Sequence, residues 1–106
     1  MPWIFLFVAG LLEVVWAFTM KLSQGFTRPG PSALTILAML ASFALLSLAM
    51  KTLPLGTAYT VWTGIGAVGA FAVGVVFLGE PLTMGRLVAA ALIVSGLVVM
   101  KLSTTA

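Results

Sequence analysis

The sequence predicts an all-α membrane protein, a single domain over 1–106 built from four transmembrane helices. Three observations lead there. Of the residues, 62% are hydrophobic and 7% are charged, against about 25% charged in ordinary soluble domains, so too little polar surface exists to cover a water-soluble globule. Apolar stretches recur four times, at about 3–20, 33–50, 56–78 and 85–100, and a bilayer core about 30 Å thick takes roughly 17–25 helical residues to cross. The breaks between them are chemically sharp: KLSQGFTRPGPS (21–32) carries Lys21, Arg28, glycines and prolines, KTLPLG (51–56) carries Lys51 and Pro54, and GEPLTMG (79–85) carries Glu80 and Pro81. Helix is the consistent assignment for each span, because a lipid-exposed open sheet would leave its backbone edges unsatisfied.

The first span contains the most informative residue. No basic residue precedes Lys21, and Glu13 interrupts the apolar run, so the segment reads as a retained span rather than a secretory signal. Glu13 lies ten residues past Trp3, which at about 1.5 Å per residue is roughly 15 Å deep, near the bilayer centre. A charged carboxylate at that depth costs on the order of 2.5–3.5 kcal/mol on insertion scales. Such a group must either hold a proton or give it up to pair with a cation. Its structural alternative is helix glue, a protonated carboxyl hydrogen-bonded to a neighbouring helix. Ala9, Gly10, Trp16 and Ala17 stand three and four residues away on the same face. Gly10 and the alanines leave room, and Trp16 is either packing or a wall and N–H donor for the carboxylate.

Ser42 stands midway along the second span, where its hydroxyl can reach a carboxylate or its own helix backbone. The third span begins TAYTVWTGIG, residues 57–66. Tyr59, Trp62, Thr63 and Gly66 share one helical face by spacing. They form either a cation-attracting, hydrogen-bonding wall or part of an interfacial aromatic belt. Gly64, Gly66 and Gly69 spell GxGxxG, but a dinucleotide site needs a preceding strand and a βαβ unit. Inside a span these glycines serve close packing and bending instead, with Gly66, Ala70 and Gly74 forming a small-residue stripe. Glu80 before Pro81 is read as capping or charging a water-facing loop. The fourth span has no interior charge, and Gly85, Ala89, Ser95 and Gly96 assign it to contact between copies.

The five cations are scattered singly at span ends, where they anchor in lipid headgroups; membrane lipid is an expected partner and nucleic acid is not. With four spans, Lys51 and Lys101 fall on one face and Lys21, Arg28 and Arg86 on the other. That difference of one gives little instruction for orientation. The expectation is insertion both ways up and an antiparallel, dual-topology homodimer, with a parallel oligomer or a monomer as the alternative. Transporters are commonly built of inverted repeats with the site at the midplane, and two opposed copies would supply such a pair. There is no cysteine and no histidine, which excludes thiol chemistry and cysteine or histidine metal sites. No metal or cofactor is expected, and an enzyme is the least supported class.

Together, the short four-span chain, the lone Glu13, the TAYTVWTGIG third span and the balanced charges resemble the small multidrug resistance family over essentially the whole chain. The Glu13-Val-Val-Trp16 spacing and KTLPLGTAYTVWTGIGAVGA (51–70) resemble its guanidinium exporter branch. The quaternary-ammonium branch usually has Gly in place of Trp16, and a second-span tyrosine where this chain has Met39. Thr60 departs from the exporter branch, which more often has Ala there. The resemblance implies a multi-pass protein of a prokaryotic inner membrane and an antiparallel dimer whose two Glu13 carboxylates face one central cavity. It implies export of guanidinium or substituted guanidinium cations against protons. Glu13 becomes the shared substrate and proton ligand, Trp16, Ser42 and Trp62 its hydrogen-bond partners, and Tyr59, with Thr63 beside it, a lining wall. Guanidinium suits such a site because its planar fork of N–H donors matches carboxylates. Proton-coupled efflux of quaternary ammonium or hydrophobic cationic drugs is the runner-up, relying on cation–π contact. A non-transporting membrane assembly protein is the third reading.

Overall fold

The computed structural model describes residues 2–104, which form α1 (Pro2–Leu22), α2 (Pro29–Ala49), α3 (Leu55–Phe77) and α4 (Met84–Ser103). Each is long and apolar enough to cross a membrane. Leucines and isoleucines on all four helices face outward, as expected where lipid is the solvent.

Helix α2 begins at Pro29, ahead of the expected start near 33. Proline and glycine read as breakers, but in a first turn a missing N–H costs nothing, because that donor would have no intrahelical partner. Arg28, before the proline, is extended at φ −102° and ψ 118°, as steric contact with the proline ring demands. The α1–α2 connection is tight. Gln24, Gly25 and Phe26 all take positive φ, which is unusual for a bulky residue such as Phe26. Ser23 holds the turn: its buried Oγ donates to the Met20 carbonyl at 2.6 Å and accepts from the Phe26 N–H at 3.0 Å. At the end of α3, Gly79 turns the chain at φ +68°, so that the Glu80 N–H reaches back to the Gly74 carbonyl at 3.0 Å. Thr83 then starts α4, its hydroxyl accepting from the Arg86 N–H at 3.2 Å, an ordinary N-cap.

Helix α1 is central, packed against α2 on one side and α3 on the other, while the α4 backbone packs on α3 and its side chains meet α1 where Lys101 lies over Trp3. The Cα trace measures 43 × 34 × 16 Å. The chain is therefore a flattened slab. Its buried apolar cluster joins Leu6 and Ala9 of α1, Leu46 and Ala49 of α2, Leu53, and Ala58, Val61 and Trp62 of α3. Small residues let the backbones close: a Cβ at Gly10 would run into Ile65, and one at Gly69 into Val14. Beyond this cluster, α1 and α2 are joined by a buried hydroxyl pair, Thr19 Oγ1 and Thr35 Oγ1, at 2.6 Å.

Helix α4 has no buried residue. It is tied to α3 at both ends. Thr57 Oγ1 lies 3.3 Å from Thr104 Oγ1. At the other end Arg86 stacks over Phe71, 5.2 Å from the ring centre, and lies 3.5 Å from the Glu80 carboxylate. Between these ends Gly64 admits the Leu97 side chain, which a Cβ there would meet.

Candidate functional site

The three packed helices converge on Glu13. Its carboxylate lies directly on the backbone of α3 at Gly66, where any Cβ would overlap it. Here, as at Gly10, Gly64 and Gly69, it is close approach rather than backbone conformation that favours glycine. Glu13 Oε1 is buried and has no hydrogen-bond partner within the chain. The one side-chain ion pair among the described residues is Arg86–Glu80, so no cation of the chain neutralises Glu13. One turn further along α1, the indole Nε1 of Trp16 is also buried without a hydrogen-bond partner.

Beside this pair stands a fully satisfied cluster. Ser42 is buried, and its hydroxyl donates to the Ala9 carbonyl of α1 at 2.7 Å. It accepts from the Trp62 indole N–H at 2.9 Å. The Ser42 proton therefore goes neither to Glu13 nor to its own helix, the two acceptors considered from sequence. It links α2 to α1 and fixes the Trp62 ring of α3, so that one hydroxyl ties three helices. In a bilayer such a bond contributes about 0.6 kcal/mol on average and up to about 1.7 kcal/mol.

Four aromatic rings run across the site. Trp16 meets Phe43 edge-on, with centres 6.5 Å apart; Phe43 meets Trp62 at 5.9 Å, and Trp62 meets Tyr59 at 5.5 Å. Rings at such separations attract one another and present π faces to a cation. The four expected third-span residues divide. Trp62 and Gly66 are buried toward α1, whereas Tyr59 and Thr63 are exposed. Tyr59 and Thr63 line an open cleft between α3 and α4 together with Thr60, Gly64 and Gly96. Gly10, Gly64 and Gly69 stand at helix contacts, and α3 runs unbroken through its glycines.

Several participants were not found from sequence. The Ala9 carbonyl is a helix backbone acceptor with no signature of its own. Phe43 is one of seven phenylalanines, and only its position next to Ser42 could have singled it out. Thr19 and Thr35 stand on different helices, and nothing in the spacing of either helix pairs them. Glu80 does more than charge a loop: its carboxylate folds back onto Gly74 and pairs with Arg86.

Comparison with known proteins gives a consistent result. Residues 1–93 match the family described as Small Multidrug Resistance protein. The chain is 59% identical over 104 residues to the guanidinium exporters of Citrobacter freundii and Escherichia coli K12, covering 98% of this chain and 99% of each relative. It is 58% identical over 103 residues to the guanidinium exporter of Salmonella typhimurium LT2, covering 97% of this chain and 98% of that protein.

Proposed function

Because the chain belongs to the small multidrug resistance family, we propose that it exports guanidinium-type cations in exchange for protons, the two competing for Glu13. The observation that carries this reading is the half-buried Glu13 carboxylate, its inner Oε1 without a partner, beside the unpartnered Trp16 indole. The naming of the similar proteins as guanidinium exporters supports the choice of cation.

The chemistry follows from complementary needs. A carboxylate in the membrane core is stable when protonated or when paired with a cation. A guanidinium offers two parallel N–H donors to one carboxylate and a flat face to aromatic rings. Substrate and proton thus exclude each other. When the cation binds, the proton has left; when the proton returns, the cation is released. Export runs downhill when the inward proton gradient outweighs the cation gradient that opposes it.

A slab 16 Å thick cannot enclose a pathway, so a second copy supplies the opposite wall. The near-even distribution of cations between the two faces favours an antiparallel arrangement. Two Glu13 carboxylates then face one cavity, with Trp16 as the free N–H donor, Trp62, its own N–H committed to Ser42, as a fixed ring, and Tyr59 at the margin.

Transport currents from purified, reconstituted protein on a solid-supported membrane test the proposal. Guanidinium should evoke a current that Glu13→Gln abolishes; coupled exchange surviving in that variant would refute it. The run of four rings favours a second reading, efflux of hydrophobic cations. A tetrapropylammonium current equal to the guanidinium current would establish that reading instead.

A further inference from the structure

One surface of the slab carries a groove that the transport site does not use. The backbones of α1 and α4 do not approach each other closely; their side chains meet at one end, where Lys101 lies over Trp3, so the two helices stand as walls on either side of α3. Trp3 and Phe7 form one wall, Leu97 and Lys101 the other, and Val61 and Ile65 the floor. The open groove, lined also by Val98, has a volume of about 290 Å³, close to the lower limit of small-molecule sites.

The groove is amphipathic along its length. Its inner end is hydrocarbon. Its mouth, at the start of α1 and the end of α4, holds Lys101, whose ammonium lies 5.0 Å from the centre of the Trp3 ring. The chain has two acidic side chains; Glu80 pairs with Arg86, and neither acid pairs with Lys101. A cation at headgroup depth above an apolar channel complements an amphiphile with an anionic head and a saturated tail. We infer that the groove is a binding site for an anionic phospholipid, with the phosphate on Lys101 and an acyl chain laid along Val61, Ile65 and Leu97. The occupant is a lipid rather than a soluble anion because the channel below the charge has nothing to offer but apolar contact. In an antiparallel pair, one such site would face each leaflet.

Native mass spectrometry of the purified full-length protein, titrated with phosphatidylglycerol and phosphatidylcholine of identical chains, tests this without recourse to transport. Phosphatidylglycerol should bind roughly fivefold more tightly, the effect of one basic residue on an anionic lipid surface. Lys101→Gln should erase that preference while leaving phosphatidylcholine binding unchanged. Lys51→Gln, on the same face but outside the groove, should preserve it. Val98→Phe, which fills the groove, should weaken both lipids. Equal binding of the two lipids by the unsubstituted protein would overturn the proposal, as would equal losses from Lys51→Gln and Lys101→Gln. Lipid bound to the monomer but excluded from the dimer would assign the groove to a second copy and overturn it too.

Discussion

Helices α1 to α3 and helix α4 share a composition but are held by different means. The first three are joined through buried polar contacts, Ser42 to Ala9 and Trp62, and Thr19 to Thr35. Helix α4 buries nothing, packs its backbone on α3 alone and reaches α1 through Lys101 over Trp3. In lipid, apolar contact between helices has little driving force, so polar bonds and close packing of small residues decide which helices are fixed. The comparison separates a rigid unit, which holds Glu13, from a helix tied to it chiefly at its ends and free along its outer face.

Substitutions can break or sharpen that contrast. The largest effect is expected at Gly66. Gly66→Ala places a methyl where the Glu13 carboxylate lies, and the guanidinium current should fall at least tenfold, by analogy with the cost of small displacements at a reacting centre. Wild-type current from folded Gly66→Ala protein would show that Glu13 works in a different position. Next is Ser42→Ala, which removes the bond to α1 and leaves the buried Trp62 N–H without its acceptor. A loss of about 1–3 kcal/mol is expected in a reversible unfolding titration. Thr19→Val should cost about 0.6 kcal/mol by the same measurement, and no more than about 1.7 kcal/mol. Arg86→Ala disrupts a half-exposed pair and should cost less than about 1 kcal/mol, shrinking as salt is added. Smallest of all, Ser95→Ala on the open face of α4 should change monomer stability by less than about 0.5 kcal/mol. A larger penalty there than at Ser42 would reverse the assignment of rigid unit and free helix.

The same contrast explains what could be read from the residues. Four spans follow from apolar run length, and Glu13 stands out as the one acidic residue inside a span. Composition carries both, because lipid imposes its requirements on every segment separately. The N-terminus of α2 was not legible, since Pro29 and Pro31 break a helix in its interior but suit its first turn. Spacing placed Tyr59, Trp62, Thr63 and Gly66 on one face, yet it could not say which arc of that face turns to α1. The glycines decide this: α3 presents Gly66 and Gly69 to Glu13 and Val14, which draws Trp62 inward and leaves Tyr59 and Thr63 outside. The Ser42–Ala9 bond and the Thr19–Thr35 pair depend on the axial register of two helices, a property that neither helix carries alone.

The thinness of the chain also has a genetic meaning. If a second copy of the same chain forms the opposite wall, one gene encodes both walls, and no mutation can alter one without altering the other. A change that improves Trp62 for one side of the membrane is imposed on the other side at once. Selection could then tune the two openings separately only after the gene had duplicated, and until then the exporter would evolve as its own mirror.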